Sequence, residues 1–476
     1  MLKNKLGEHN EIVRRKARFV AKGYLQSFGI DYFETFAPVA KMKSIKLILS
    51  IVAKDDLELH QMDYETAFLN ARLEEKIYME QPEGFAEDSD QVLLLIKAIY
   101  GLKQAPNRWN KTVDDYLQSL GYKPLRSDPC VYIKRSRTNR LIILCLYVDD
   151  TLIAFHKQDQ EEWFSDKKEI SRQFPIQDLG ECNWILNMKV IRDREKRTIT
   201  LSQQAFIERI AEQYAPDKTG RTADTPLNDQ HELWKTTDNS QHEVKLLDSR
   251  DTRLYCSIVG ALLYASNISR IDITYAVGQL CRYTSKPCIH HLEAAYRVIR
   301  YVRNTPQLCL IFGLHSQNMK QTNLIAYCDS DWAGDKGDLK STSGCVIRFN
   351  GDVMNWLSKK QKSVAQSSAE AEYIAAAETT KELLWYRSWI SEVLFEFPVG
   401  VIHCDNQAAI ILTKNDTIHE RSKHIRLRYH FIRDEIKKNH VQIKWVKSAD
   451  QQADILTKPL QSASFARLRD KLIFNP

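Results

Sequence analysis

Two apolar runs of strand length enclose a pair of adjacent carboxylates in residues 140–155, RLIILCLYVDDTLIAF. This pattern predicts a buried β-hairpin whose turn carries Asp149 and Asp150. An ordinary turn with two aspartates is the alternative, but an uncompensated charge in an apolar hairpin is costly. Two close carboxylates also raise each other's pKa unless a cation lies between them. The segment therefore predicts a divalent metal site at the end of a sheet.

A third acid at the end of a short alternating run would complete a cage for two metal ions. Residues 57–63, LELHQMD, form such a run and end at Asp63. A strand here would place Asp63 at its carboxyl edge. The same residue could equally be the N-cap of a helix over 64–70, so the sequence leaves both interpretations open.

The whole chain is long enough to hold several hydrophobic cores. Its 476 residues are about three times the length of a typical domain of roughly 150 residues. The apolar fraction of 43% and the charged fraction of 27% are typical of a folded globular protein. Strand-like and helix-like runs alternate, which predicts α/β or α+β layers. Two polar connectors, 215–252 and 315–323, separate an N-terminal block, a middle block of amphipathic helices and a C-terminal block.

Composition disfavours several classes of protein. The ten cysteines include no Cys-x-x-Cys pair, so a zinc ribbon, finger or knuckle is unsupported. No apolar run approaches roughly 18 residues and no apolar leader is present, so we expect an intracellular chain without a membrane partner. The net charge of +7 is mild, but residues 1–23 and 419–447 are locally basic. Such segments permit contact with phosphates, although a solvated face is the commoner explanation.

Five motifs follow one another in the N-terminal block. They are KARFVAKG at 16–23, DYFETFAPV at 31–39, QMDYETAFLN at 61–70, YGLKQAP at 100–106 and YVDD at 147–150. YVDD looks like the metal-binding signature of reverse transcriptases, and the full series resembles copia-type long-terminal-repeat retrotransposon Pol polyproteins. The resemblance implies a right-hand polymerase fold with palm, fingers and thumb. It also implies that Asp63, Asp149 and Asp150 hold two Mg²⁺ or Mn²⁺ ions, which would activate a 3′-hydroxyl and neutralise a leaving pyrophosphate.

The resemblance further implies contacts with the incoming nucleotide. Phe68, five residues after Asp63, matches the aromatic residue that excludes a 2′-hydroxyl and so selects deoxynucleotides. A core aromatic on a helix face is the alternative. Arg18 and Lys22 match the fingers segment that contacts the triphosphate, and a solvated basic strand is the alternative for both.

Three residues of the YGLKQAP motif match the template-facing part of the family. Tyr100 and Gly101 correspond to the loop that packs under the incoming base and the template. Lys103 would touch a backbone phosphate, with simple solvation as an equal alternative.

The C-terminal block carries four more acids where strands end or helices begin. SSAE at 367–370 is a capping box, which predicts a helix that projects Glu372 from its first turns. A last helix is expected to begin near Asp450 and to end by Pro459. Taken singly, each acid could be a helix cap or a surface charge. The four acids are Asp329, Glu372, Asp405 and Asp454.

Together these acids resemble ribonuclease H, in which three Asp and one Glu hold two metal ions. CDSDWAG at 328–334, SSAEAEY at 367–373, CDNQA at 404–408 and AD at 453–454 match the copia-type version in order. The motif positions favour Asp329 over Asp331 and Glu372 over Glu370, which spacing alone does not separate. The basic run at 421–430 could grip an RNA–DNA hybrid. GDKGDLKST at 334–342 lacks phosphate-loop spacing and predicts a turn between strands, where residues 341 and 342 could contact the duplex.

The whole pattern implies an RNA-directed DNA polymerase with a C-terminal ribonuclease H, each site using two Mg²⁺ or Mn²⁺ ions. The expected divisions are 1–210 for partial fingers and palm, 211–320 for thumb and helical connection, 321–460 for a ribonuclease H-like α/β domain and 461–476 for a tail. Expected partners are an RNA template, a DNA primer, an RNA–DNA hybrid and dNTPs, with the element's integrase and capsid proteins as further candidates. The expected location is the cytoplasm, in virus-like particles if the element is active, with the nucleus as an alternative.

A catalytically inactive relic that only binds nucleic acid is the main alternative. Met1 lies 15 residues before Lys16, whereas the family has further fingers sequence upstream, so an N-terminally truncated chain is expected. Ile271 and Ala71 stand where the family usually has proline and glycine. All seven carboxylates are present, which favours an enzyme.

Overall fold

The computed structural model describes residues 2–6, 12–82, 84–85, 90–215, 222–228, 246–315, 321–414 and 426–475. The chain divides into two compact units. Unit one comprises Met1–Ile45 and Leu57–Cys182, and unit two comprises Lys46–Asp56 and Asn183–Pro476. The boundaries expected at 210 and 320 both lie inside unit two, and the finer division stays a prediction. Most of the expected connectors, and residues 421–425 of the basic run, lie outside the described residues.

Among its described residues, unit one contains ten strands. They are β1 (Leu2–Leu6), β2 (Ile12–Ala17), β3 (Glu58–Tyr64), β4 (Arg72–Met79), β5 (Leu93–Lys97), β6 (Lys123–Pro124), β7 (Val131–Arg135), β8 (Leu141–Tyr147), β9 (Asp150–Phe155) and β10 (Ile176–Glu181). Six of them form one antiparallel sheet in the order β10-β3-β9-β8-β7-β6. β1 pairs with β2, and β4 pairs with β5. The predicted hairpin over 140–155 is therefore present as β8 and β9 at the centre of the large sheet.

In the described part of unit one, two helices pack on this sheet and a third begins. α1 (Met42–Asp55) passes into unit two at residue 46, α2 spans Ala105–Ser119 and α3 spans Gln160–Gln173. α2 buries Trp109, Val113 and Leu117, which recur four residues apart and so lie on one helix face. That face meets the apolar side chains of the central strands and forms the core under the hairpin.

Unit two begins with a four-stranded sheet and a helical region. The strands are β11 (Trp184–Ile185), β12 (Met188–Asp193), β13 (Thr198–Ser202) and β14 (Leu310–Phe312), in that spatial order. The helices are α4 (Gln204–Tyr214), α5 (Ser249–Ile268), α6 (Thr274–Cys281) and α7 (Ile289–Asn304). The last three confirm the helices predicted for the middle block.

The remainder of unit two is a five-stranded mixed sheet with helices. The strands are β15 (Leu324–Ser330), β16 (Thr342–Phe349), β17 (Asp352–Lys360), β18 (Gly400–Cys404) and β19 (Val441–Trp445), in the order β17-β16-β15-β18-β19. β15, β18 and β19 run parallel, and the other pairs are antiparallel. The helices are α8 (Ser368–Leu394), α9 (Gln407–Lys414), α10 (Arg426–Lys437) and α11 (Ser462–Arg469).

The predicted helix from Asp450 to Pro459 is wrong in type. Two short 3₁₀ turns, Ser448–Asp450 and Gln452–Leu456, occupy that stretch. Gln451 separates them with extended backbone, and its side chain accepts a hydrogen bond from Ala453 N. The extended backbone of Gln451 interrupts the run of hydrogen bonds between residues four apart that an α-helix over this stretch would need.

A mixed α/β architecture is thus confirmed in both units, while the palm, fingers and thumb arrangement stays a prediction. In the described part of the chain, no helix combines the length and the apolar character needed to cross a bilayer.

Candidate active sites

Strand pairing brings the first acid cluster together in unit one. Asp63 on β3 lies directly opposite Asp150 on β9 in the antiparallel register. Tyr147 pairs with Asp150, so Val148 and Asp149 alone form the hairpin turn. The turn therefore carries one of the two adjacent aspartates, and the other is the first residue of a strand. Cross-strand neighbours on one sheet face are about 5 Å apart at Cβ, which brings these two carboxylates close together.

The alternative role of Asp63 as a helix N-cap is wrong. β3 continues through Tyr64, and Thr66 then adopts a left-handed backbone with φ of 50°. A short 3₁₀ turn, Ala67–Asn70, follows instead of the helix considered for 64–70. Asp63 is consequently held by a sheet rather than by a helix end.

The core under the hairpin fixes the turn. Tyr64 N donates a 2.8 Å hydrogen bond to Asp149 O, and Trp109 Nε1 donates a 2.6 Å hydrogen bond to Val148 O. Trp109 is 1% exposed, and its ring lies 5.0 Å from that of Tyr64 in an edge-to-face arrangement. Both residues of the turn thus accept hydrogen bonds from residues that the packed core holds in place.

Electrostatics in this cluster favour a bound cation. Burial raises the pKa of Asp150, and the neighbouring charge of Asp149 raises it further, while a hydrogen bond from Gln61 opposes the shift. Gln61 Nε2 lies 3.4 Å from Asp150 Oδ1. Carboxylate oxygens are the ligands that Mg²⁺ prefers, so the donor set of Asp63, Asp149 and Asp150 fits that ion.

A cavity of about 260 Å³ opens beside these acids. Arg18, Asp63, Tyr100 and Asp149 are among its lining residues. The Arg18 guanidinium carbon lies 5.2 Å from the centre of the Tyr100 ring, and that ring lies 4.7 Å from the ring of Phe68. Burial raises the pKa of Tyr100, as does the charge of Asp149. Phe68 is half-buried and packs against the core, and its ring contacts Tyr100, which lines the cavity.

The remaining predicted contacts lie where a backbone hydrogen bond joins Ala21 to Tyr100. Ala21 N donates a 2.8 Å hydrogen bond to Tyr100 O. Gly101 has φ of 95°, and a Cβ there would lie 2.1 Å from Ala21 O, so only glycine fits. Lys22 is exposed. Lys103 Nζ donates hydrogen bonds to Tyr32 Oη at 3.0 Å and to Gln26 O at 3.3 Å, and its contact with a phosphate stays a prediction.

A second acid cluster lies in unit two. Asp329 is in β15, and Asp405 directly follows β18, the parallel neighbour of β15. The carboxyl ends of parallel neighbours meet at one edge of a sheet, so these two acids come together there. Glu372 joins them from the first turns of α8, and Asp454 joins from the second 3₁₀ turn. Asp329 and Glu372 are 3% and 5% exposed, which makes this the more buried of the two clusters.

Hydrogen bonds distinguish Glu372 from Glu370. Glu372 Oε1 accepts from Ser330 N at 3.2 Å, on the strand that carries Asp329. Glu370 Oε2 instead accepts from Gln366 N at 3.0 Å, and Glu370 N donates to Ser367 Oγ at 3.2 Å. Glu370 thus serves the start of the helix: the Ser367 side chain caps it as predicted, and the Glu370 carboxylate accepts from Gln366 N, one residue before the N-cap.

Asp331 likewise makes its hydrogen bonds outside the acid cluster. Its Oδ1 accepts a short hydrogen bond from Thr342 N, and its own N–H donates to Thr342 O at 3.2 Å. Burial raises the pKa of Asp331 to about 6. Ser341 and Thr342 are 0% and 1% exposed, so the interpretation of these two side chains as duplex contacts is wrong.

Burial and mutual repulsion dominate the electrostatics of the second cluster. Burial raises the pKa of Glu372 far above its usual range, and the charges of Asp329, Cys404 and Asp405 add to the shift. Burial also raises the pKa of Asp454, with a contribution from Asp329. Groups that repel one another in this way are stabilised as anions when a cation binds between them.

The second cluster also contains a group with the spacing of metal ligands. In the described residues, ligand atoms of Glu372, Cys404 and Asp405 all lie within 4.8 Å of one another. Cys404 Sγ is 3.9 Å from Glu372 Oε2. The carboxylates suit Mg²⁺ or Mn²⁺, whereas a thiol suits softer ions, so the donor set fits the expected ion through its oxygen atoms.

Four supporting residues were missed by the sequence reasoning. Gln61 and Trp109 serve the first cluster through the hydrogen bonds given above. Thr457 Oγ1 donates a short hydrogen bond to Asp329 Oδ2, and Lys458 Nζ lies 3.1 Å from Asp454 Oδ1. Of these four, only Lys458 could have been predicted from the sequence, because it lies four residues after Asp454 and could face it across one turn.

Comparisons with known proteins support the family that the motifs indicate. Residues 2–227 match the family model described as "Reverse transcriptase (RNA-dependent DNA polymerase)". A Pol polyprotein from transposon TNT 1-94 of Nicotiana tabacum is 42% identical over 96% of this chain and 34% of its own length. One from transposon RE1 of Arabidopsis thaliana is 35% identical over 98% of this chain and 31% of its own length. The chain thus spans about a third of these two relatives.

A shorter relative is covered completely. The putative transposon Ty5-1 protein of Saccharomyces cerevisiae is 36% identical over 68% of this chain and 100% of its own length. Among solved structures, an RNase H1 isolated from compost covers 28% of this chain at 14% identity, with a TM-score of 0.23, which is too low to support an argument. The sequence relatives carry the assignment: the chain belongs to the copia-type retrotransposon Pol polyproteins and includes a region of their reverse transcriptase family.

Proposed function

We propose that the chain is an RNA-directed DNA polymerase with a ribonuclease H activity. The observation that carries the proposal is the presence of two carboxylate clusters, one in each unit, each built at strand ends. Membership in the reverse transcriptase family supports the first activity. The four acids on one edge of the mixed sheet support the second.

In the first cluster, the chain's own residues would position and select the nucleotide. The hydrogen bonds to Val148 O and Asp149 O hold the turn still, so the Asp149 and Asp150 carboxylates are placed before substrate binds. Phe68 and Tyr100 would border the sugar and base, and Arg18 would neutralise triphosphate charge. Two Mg²⁺ or Mn²⁺ ions held by the three acids would supply the charge that lowers the barrier to phosphoryl transfer.

In the second cluster, buried acids would orient the RNA backbone for hydrolysis. Ser330 N fixes the Glu372 carboxylate, and Thr457 Oγ1 fixes that of Asp329. Because both carboxylates are almost fully buried, they would hold divalent ions with little competition from water. This donor set fits cleavage of the RNA strand of a hybrid.

The proposed substrates are an RNA template, a DNA primer, dNTPs and the resulting RNA–DNA hybrid. The element's integrase and capsid proteins are proposed as partners. We place the protein in cytoplasmic virus-like particles when its element is active, with the nucleus as the second location.

Primer extension on an RNA template and cleavage of a labelled hybrid test both activities in the same chain. Asp149→Asn should abolish extension and leave cleavage, whereas Asp405→Asn should abolish cleavage and leave extension. Matched controls are Asp115→Asn in α2 and Asp434→Asn in α10, both exposed carboxylates away from the clusters.

The outcomes separate the proposal from its main rival. If the unmodified chain neither extends nor cleaves but still binds hybrid, it is the inactive relic. If both activities vanish in each single variant, the clusters do not act as separate sites.

A further inference from the structure

A lysine side chain lies against half of the second acid cluster. Lys458 Nζ is 3.1 Å from Asp454 Oδ1 and 4.0 Å from Asp329 Oδ2. The side chains of Asp329 and Asp454 are 4% and 14% exposed, so this ammonium group lies close to two largely buried carboxylates. Charge pairs in such surroundings interact more strongly than pairs on the surface.

In the part of the chain that the structure describes, the other half of the cluster has no cation in contact with it. Within the described residues, Glu372 and Asp405 have no Lys, Arg or His nitrogen within 4.0 Å. Their near neighbour is the thiol of Cys404, which brings no positive charge. The four acids therefore divide into a half that carries its own ammonium group and a half that does not.

The backbone around Lys458 keeps the ammonium group near the acids. Thr457 N donates to Asp454 O at 3.2 Å, and Lys458 N donates to the same oxygen at 3.4 Å. Thr457 Oγ1 also bonds Asp329. The Lys458 side chain itself is 44% exposed, so it has open solvent into which it can withdraw. The lysine is thus anchored at its backbone and free to move at its tip.

A divalent ion that binds between Asp329 and Asp454 would meet this ammonium at contact distance. Two like charges in partly buried surroundings repel strongly, and the lysine must then leave its carboxylates. An ion that binds at Glu372 and Asp405 does not displace it. The two halves should therefore bind divalent ions with unequal affinity.

We propose that Lys458 is a resident cation of the nuclease site, which competes with a divalent ion for the Asp329–Asp454 half. The inference rests on the proposed metal-dependent nuclease, and it adds a competing charge that regulates how the nuclease site binds divalent ions. Ion binding at the Glu372–Asp405 half comes first, and binding at the Asp329–Asp454 half requires the lysine to swing out.

Mn²⁺ titration followed by the electron paramagnetic resonance signal of the free ion tests the inference without measuring activity. The 476-residue chain carries Asp149→Asn and Asp150→Asn in every sample, which weakens ion binding in unit one. Lys458→Met removes the charge and keeps a side chain of similar length. Lys458→Arg keeps the charge, and Lys340→Met removes a charge from an exposed pair with Asp338, far along the chain from Asp454.

The unmodified lysine should give one tighter and one weaker Mn²⁺ site. Lys458→Met should tighten the weaker site by roughly ten-fold, because the competing charge is gone. Lys458→Arg and Lys340→Met should leave the weaker site as it was. An unchanged or weakened second site in Lys458→Met, in a variant that keeps its circular dichroism spectrum, would overturn the inference.

A separate arm reports on the proposed function itself. Asp405→Asn should remove the tighter site from the titration. If Asp405→Asn has no effect on Mn²⁺ binding, the metal-dependent nuclease fails and the competition by Lys458 fails with it. If Asp405→Asn acts as expected while Lys458→Met does not, only the competition fails.

Discussion

At the scale of single residues, burial rather than residue type decides which side chains of unit two carry charge. Lys46 on α1 is 2% exposed, and its Nζ lies 3.9 Å from the centre of the Trp356 ring. Burial lowers the pKa of Lys46 to about 7. The ring face offers some attraction for an ammonium group, but less than the water it replaces. Lys46 therefore weakens the folded state at neutral pH.

Replacing this lysine should stabilise the protein. A lysine in an unfolded chain titrates near pH 10.4, so between about pH 7 and pH 10 the unfolded chain binds more protons than the folded one. The free energy of unfolding of the unmodified protein thus rises with pH across that range. Lys46→Met should raise it by roughly 1–3 kcal/mol at pH 7, and the gain should shrink toward pH 10.

Urea unfolding at several pH values measures this effect. The exposed Lys359, three residues after Trp356, provides the control, since Lys359→Met should change stability little at any pH. A gain for Lys46→Met that is the same at pH 7 and pH 10 would show that the ammonium charge is not its cause.

At the scale of elements, the β8–β9 hairpin depends on a helix that is distant in sequence. Val148 in its turn has φ of 62°, an uncommon conformation for a β-branched residue that costs about 1–3 kcal/mol. The hydrogen bond from Trp109 Nε1 to Val148 O helps to hold this backbone. α2 thereby determines where Asp149 stands.

Trp109→Phe should loosen the turn without emptying the core. We expect a loss of about 1 kcal/mol from the missing hydrogen bond, in addition to the smaller ring, and a fall in primer extension of roughly ten-fold. Trp163→Phe is the matched control, because Trp163 is 0% exposed and its Nε1 has no hydrogen-bond partner within the described residues. Equal losses of extension in the two variants would argue against a role for the Val148 bond.

At the scale of the whole molecule, each unit has its own core and its own acid cluster. The helical part of unit two is held by a fully buried ion pair, in which Arg270 Nε and Nη2 bond the two carboxylate oxygens of Asp272 at 3.0 and 2.8 Å. Tyr301 Oη adds a 2.7 Å hydrogen bond to the same carboxylate. Breaking such a pair leaves an uncompensated buried charge.

Asp272→Ala should therefore destabilise unit two by about 3–5 kcal/mol. Native-state hydrogen exchange should show lost protection in α5 and α7 and retained protection in β8 and β9, because the pair lies wholly within unit two. Asp251→Ala, in the first turn of α5, is the control. An equal loss of protection in both units would show that they unfold together.

Local patterns determined much of what this chain contains. The apolar runs predicted the β8–β9 hairpin, the helix periodicity predicted α5 to α7, and the capping box predicted the start of α8, because each depends on residues close in sequence. The motifs identified the seven acids and indicated the family. At Asp63 the sequence left a strand edge and a helix N-cap open, and the structure confirms the strand, whereas the α-helix predicted from Asp450 was wrong.

Tertiary structure decided how the acids are held. Only strand pairing places Asp63 opposite Asp150, and only the hairpin formed by β15 and β16 brings Thr342 N to the Asp331 carboxylate. The contacts of Trp109 and Gln61 likewise join residues far apart along the chain. The sequence by itself determined which carboxylates and which elements are present, because those follow from local spacing. The tertiary structure alone decided strand register across the sheets and the burial of the acids, because these depend on neighbours that no local window contains.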